Sequence, residues 1–351
     1  MESRETNCCI RIHASRHGHP YRIHIRPRSP GSLNRSTVTA ISNYREFAVG
    51  TLVVFTYPTK LFLKAADHTY VECGTGAKGW NCWGGKSGGK KLRCAPGSTL
   101  RADTVAGKNE RSGITCYLIN GVCHQAANRI LDQSQITVDG ARGYSLSVSI
   151  FGVLGRRNGF LGTCKAPFYS HPGVTGDLQD CIESRPRPRA QVVNQLAVPV
   201  HSQGYDFEDR LYMEAVRALH DRAEAEVVTD PASLLKEQMQ HFKLMVRHKL
   251  GLPEHRIAPS AYSQLMAVRE QFEWKRLMAE KELADTSNPL AFVEVFDRLT
   301  LQFQDDVART LDEKSYSTLL NLSPDERVVL SDPDIVEQIY GSRPDPAGAK
   351  S

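Results

Sequence analysis

The stretch "CYLINGVCHQAANRIL" (116–131) places Cys123 directly after an Asn-Gly-Val turn and at the head of a helical stripe of Ala126, Ala127, Ile130 and Leu131. A thiol at a helix start feels the positive end of the helix dipole and the unpaired first-turn amides. Both favour the thiolate, and the same amides can hold an oxyanion during acyl transfer. The competing reading is a buried core cysteine, because Cys123 shares its stripe with Ala127 and Ile130. A thiolate nucleophile needs a base. His68 opens "HTYVEC" (68–73), and His171 in "FYSHPGV" (168–174) is the alternative base. His124 lies about 100° round the helix from Cys123, which points it toward Asn128 or solvent. Asn81 and Asn120 are the candidates for a third, orienting group.

The elements that must position these residues are short. "FAVGTLVVFTYP" (47–58) reads as a strand rich in Val, Phe and Tyr and stopped by Pro58, and "HTYVEC" as a second. Residues 114–119 look like a third. "GYSLSVSIFGVLG" (143–155) begins with period-two alternation and continues as strand or as a short helix. The pattern is α+β, with few strands around one main helix.

Between the first two chemical groups lies "GWNCWGGKSGGKK" (79–91), whose Gly-Gly-Lys-Ser resembles the end of a phosphate-binding loop. The spacing fails, because Trp80 stands where the first glycine belongs. The stretch reads instead as a turn in which Trp80 and Trp83 wall a substrate groove, with Gly84 and Gly85 allowing a substrate backbone close.

The order of histidine at a strand start, Gly/aromatic loop, strand, turn and cysteine at a helix start resembles the circularly permuted papain-like cysteine hydrolases. The resemblance rests on "HTYVECGTGAKGWNCWGG" and "CYLINGVCHQAANRIL" and covers residues 50–131. It implies a papain-like domain with Cys123 as nucleophile and His68 as base. The Asn before the cysteine and the Phe after the histidine of that family's helix motif are absent; Val122 and Gln125-Ala126 stand there. "GVC" (121–123), "GARGY" (140–144), His171 and Asp177 or Asp180 are similar to the transglutaminase-like proteins, although Pro172 follows the histidine. Both resemblances imply the same nucleophile and reaction class.

Composition bounds the rest. The 351 residues carry a net charge of +5, and residues 1–50, with eight arginines and three glutamates, already account for it. Only a basic tail is present, so nucleic acid is not an expected partner. No apolar run reaches membrane-span length, and no secretory h-region opens the chain. A cytoplasmic protein, or one exported without a cleaved signal peptide, is expected. Nine cysteines, all before residue 182, are expected to be reduced thiols. The irregular spacing of His68, Cys73, Cys82, Cys94, Cys116 and Cys123 argues against a zinc site, and no metal or cofactor is expected.

The expected organisation is a disordered basic tail (1–45), a papain-like cysteine hydrolase-like domain (46–182), an Arg-Pro linker (183–204), an all-α helical bundle (205–340) and a disordered end (341–351). Four N-cap–proline pairs, Asp230-Pro231, Asn288-Pro289, Ser323-Pro324 and Asp332-Pro333, mark helix starts in the bundle. Its charged residues, and His220 and His241, are expected on solvated faces. The expected function is a cysteine-dependent hydrolase or acyltransferase cleaving a peptide, isopeptide or amide bond of a peptide or protein substrate. The alternative is a non-enzymatic interaction or effector protein whose cysteine-rich domain is structural.

Overall fold

The computed structural model describes residues 49–57, 65–76, 78–80, 89–111, 117–159, 204–225, 228, 230–251, 257–286, 288–333 and 335–336. The tails at 1–45 and 341–351, and the linker at 183–204 except for Gly204, lie outside them.

Four strands form one antiparallel sheet, in the order β3-β2-β1-β4. They are β1 (Val49–Tyr57), β2 (His68–Cys73), β3 (Gly79–Trp80) and β4 (Lys90–Ser98). Alternation along β1 sends Leu52 and Val54 into the core opposite Cys73 and Val71 of β2. On the other face Phe55 stacks on its cross-strand neighbour Tyr70 at 5.2 Å. β4 is an edge strand, which is why it tolerates Pro96. Helix α1 (Thr99–Arg111) starts straight after it, with Ser98 Oγ accepting the Arg101 amide at 3.3 Å.

Next come α2 (Cys123–Leu131), a 3₁₀ turn (Asp132–Ser134) and α3 (Tyr144–Phe151). The alternation in 143–155 is thus helix over Tyr144–Phe151, and of the strand expected at 114–119 Tyr117 makes an isolated bridge to Gly121 while residues 118–120 turn. The remaining described helices are α4 (Phe207–Ala225), α5 (Pro231–Leu250), α6 (Pro259–Thr286), α7 (Pro289–Thr310) and α8 (Glu313–Leu320). Asp230 and Asn288 cap α5 and α7 by accepting the amides of Ser233 and Ala291, with proline in the first turn of each. Ser323-Pro324 opens a turn rather than a helix.

The helices do not build a core apart from the sheet. One continuous apolar cluster runs from Leu52 to Ile335, and Phe47–Ser351 falls in one compact unit. Phe151 of α3 stacks on Phe296 of α7 at 5.8 Å. The late segment at Val329 bridges Ala65 just before β2. The separate helical bundle thus gives way to one core, because α3 is buried all round, its three serines included, and is covered by helices from the far side of the expected boundary.

The charges of α6 are likewise not a solvated face. Arg269, Glu273, Arg276 and Glu280 recur at one-turn spacings and are all buried, joined by Arg156. Arg269 Nη1 meets Glu273 Oε2 at 2.8 Å, Arg276 bonds both glutamates, and Arg156 Nη1 meets Glu280 Oε1 at 2.5 Å. Burial works to raise Glu273, but Arg276, Arg269 and Arg156 more than reverse it and hold it at about 2. Arg269 also donates to the carbonyls of Ser149 and Ile150, so a cation satisfies the C-terminal end of α3.

Candidate functional site

Helix α2 begins at Cys123 because the chain ahead of it turns sharply. A Cβ on Gly121 would come within 2.9 Å of Gln125 Cβ, so glycine is needed for that approach. Val122 is the N-cap residue and has no side-chain acceptor. Gln125, at the third helical position, compensates by accepting the Val122 amide on Oε1 at 3.0 Å. Its Nε2 donates to Ser147 Oγ and the Gly152 carbonyl, each at 3.1 Å, which ties the head of α2 to α3.

The facing wall is Ala65–Asp67, which leads into β2. Ala66 donates its amide to Val329 at 2.9 Å, Asp67 donates its amide to Arg142 at 3.0 Å, and the Arg142 amide returns a bond to Asp67 Oδ2 at 3.1 Å. Gly143 has φ +76°, and a Cβ there would meet Ala66 Cβ at 2.7 Å. Arg142 is itself anchored by Glu326 at 2.5 Å. Nearby, Tyr117 donates its hydroxyl to the Leu330 carbonyl at 3.1 Å and accepts the Asp332 amide at 2.6 Å. Burial, then the charges of Asp332 and Cys123, push Tyr117 well above its ordinary range, so it stays a phenol. Residues 326–332 therefore close one side of the site.

On the oxygen of Asp67 two side chains converge. Cys123 Sγ lies 3.7 Å from it and His124 Nε2 2.9 Å. His124 Nδ1 lies 2.9 Å from Ser147 Oγ, and that hydroxyl is also 2.8 Å from the Tyr144 carbonyl. A carbonyl only accepts, so Nε2 carries a proton. Ser147 has one hydrogen and two acceptors to choose from. When it donates to Tyr144, Nδ1 must be the donor and His124 is an imidazolium. When His124 is neutral, Ser147 donates to Nδ1 and releases Tyr144. Burial pushes His124 below its ordinary value, while Cys123 and then the Asp67 carbonyl pull the other way. The net direction is down, so charge on His124 depends on a countercharge on Cys123.

His124 was expected to face Asn128 or solvent, and this is corrected: it is fully buried, and Asn128 Nδ2 instead serves Tyr144 Oη and the Val153 carbonyl. His68 is buried at the first position of β2, opposite Tyr57. Alternation places it with Tyr70, on the face away from Val71 and Cys73. Asn120 orients neither histidine. Its Nδ2 donates to the Arg156 carbonyl at 2.9 Å and its own carbonyl accepts the Arg156 amide at 2.7 Å. Trp80 does not wall a groove: its ring is buried, with Nε1 donating to Asp103 Oδ1 at 2.8 Å. Asn81, Trp83, Gly84, Gly85, His171, Asp177 and Asp180 lie outside the described residues.

His220 and His241 are buried too, not on exposed turns. His220 Nε2 accepts from Arg157 Nε at 2.8 Å. Burial, then Arg157, lowers His220 to about 2, and burial, then Arg269, lowers His241 to about 4. Among the described residues no three His, Cys, Asp or Glu are grouped to hold a metal ion, and no helix is long and apolar enough to cross a membrane. Compared with protein families, curated proteins and solved structures, the chain matches none.

Proposed function

We propose that this protein is a thiol-dependent hydrolase or acyltransferase acting on a peptide, isopeptide or amide bond, with Cys123 as nucleophile and His124 as its acid–base partner. The observation that carries the reading is the convergence of the Cys123 thiol and the His124 imidazole on the Asp67 carbonyl, with Ser147 able to support either charge state of the ring. A cysteine opening a helix that packs on an antiparallel sheet also fits the papain-like resemblance.

In the proposed reaction the neutral ring takes its Nδ1–H tautomer, with Nδ1 donating to Ser147, and Nε2 leaves the Asp67 carbonyl to accept the thiol proton, giving a thiolate and an imidazolium. The sulfur attacks the acyl carbon, and first-turn amides of α2 receive the oxyanion. The C–N bond breaks as Nε2 gives its proton to the departing nitrogen, leaving a thioester. Water, or an acceptor amine, then attacks the thioester while the neutral imidazole takes its proton, and the thiolate leaves.

The test is competitive labelling of the whole chain with iodoacetamide, read by mass spectrometry. Cys73 is the internal control, because it is 7 % exposed and Cys123 6 %. Equal access means that a rate difference reports thiolate character. Cys123 is expected to label at least about tenfold faster at pH 7. Labelling no faster than Cys73 would make Cys123 a structural thiol and favour the interaction-protein reading. Loss of the advantage in His68→Asn but not in His124→Asn would return the base to His68.

A further inference from the structure

A second site lies on the other side of Tyr144, whose ring meets His124 edge-on at 5.9 Å. Here α3, the 135–139 loop, the start of α4 and the end of α5 enclose a cavity of about 160 Å³. That is close to the size, on the order of 150 Å³, at which an apolar cavity accepts benzene. Its apolar lining is Ile136, Val148, Val153, Met213 and Met245, all buried, beside tyrosine rings.

The polar lining is of both signs. Lys249 Nζ is 3.1 Å from Ser145 Oγ, a buried neutral group that leaves the ammonium with further donors. Arg93 contributes the second cation, with Nη2 2.5 Å from the Asp139 carbonyl. Asp139 lines the same space and has an exposed side chain. Asp209 faces His248 at 3.2 Å, and the His248 ring is held flat against Tyr212 at 4.2 Å. Two cations bonded to neutral oxygens and two carboxylates thus surround one small apolar chamber.

We infer that this cavity is a binding site for a small zwitterion with an apolar body, of the free amino-acid class. The carboxylate is received by Lys249 and Arg93, the ammonium by Asp139 and Asp209, and the side chain lies against the methionines and valines. An acid without the amine forgoes pairing with Asp139 and Asp209, and an amine without the acid forgoes pairing with Lys249 and Arg93.

Titration calorimetry on the full chain tests this with three probes: L-phenylalanine, 3-phenylpropanoate and 2-phenylethylamine. L-Phenylalanine is expected to bind, and each truncated analogue to bind about tenfold more weakly or worse, the effect of one charge-assisted pairing. Lys249→Met is expected to erase the preference for L-phenylalanine over 2-phenylethylamine, and Asp209→Asn the preference over 3-phenylpropanoate. Arg93→Met, on an edge strand, replaces Lys249→Met if circular dichroism shows that variant to be unfolded. Absence of binding by all three probes, equal binding by all three, or an unchanged preference in the folded variants would overturn the inference.

Discussion

Ser147 Oγ sits 2.9 Å from His124 Nδ1, near enough to reverse the direction of their hydrogen bond when the ring changes charge. Ser147→Ala removes that adaptability and leaves Nδ1–H of an imidazolium without an acceptor in a buried site. In the variant, the pH midpoint of Cys123 alkylation is expected to move up by about one unit, with secondary structure retained. An unmoved midpoint would show that His124 does not carry the countercharge.

The buried arginine–glutamate cluster predicts an asymmetric stability response. Glu273→Gln keeps the shape but takes the countercharge from Arg269 and leaves Arg276 with Glu280 alone, and is expected to cost roughly 3–5 kcal/mol in urea denaturation. An exposed acid such as Glu294 on α7 replaced by Gln is expected to change stability by less than about 0.5 kcal/mol. Comparable small effects for both would mean that the cluster is hydrated or rearranged in solution.

His220 and His241 make the fold acid-sensitive well above the carboxylate range. Their folded values, about 2 and about 4, lie below the ordinary histidine value, so the unfolded chain takes up protons first. Their contribution is whole above about pH 6.5 and is lost as pH falls toward the folded values, roughly 3 kcal/mol for His241 by pH 4. Urea midpoints between pH 7.5 and pH 5 should drop steeply in the native protein and less so in His241→Gln. Parallel slopes would place the acid sensitivity elsewhere.

A fragment of residues 205–351 is expected not to fold cooperatively. Without α3 it loses the packing of Phe151 on Phe296, and Arg269 loses its carbonyl partners at Ser149 and Ile150. A sharp thermal transition in that fragment by circular dichroism would show that α4–α8 own a sufficient core.

Strands β1 and β2 were legible because Val, Phe and Tyr alternate between clear stops, and α5 and α7 because Asp230-Pro231 and Asn288-Pro289 carry their own caps. Helix α3 was not. Ser145, Ser147 and Ser149 alternate with Leu146, Val148 and Ile150, which imitates a half-exposed strand, yet all six are buried. Their hydroxyls meet Lys249, His124 and the Leu146 carbonyl. The charged row of α6 hid its burial because salt-bridge spacing looks the same on a wet face and in a core; only Leu265, Phe272, Leu277 and Leu283 among its members hinted otherwise. Cys123 was visible as a helix-leading thiol. His124 was missed because a 100° offset excludes two neighbours from one helix face but not from one oxygen beyond the helix end.

The bridge between Ala65 and Val329, with Tyr117 clasping Leu330 and Asp332, has a temporal meaning. During synthesis Cys123 leaves the ribosome some two hundred residues before the segment that fixes its surroundings. Over that interval the thiol has neither its closed wall nor a fixed Asp67 carbonyl. Completion of these surroundings is therefore tied to synthesis of residues 329–332, and a chain arrested before Val329 holds the cysteine without them.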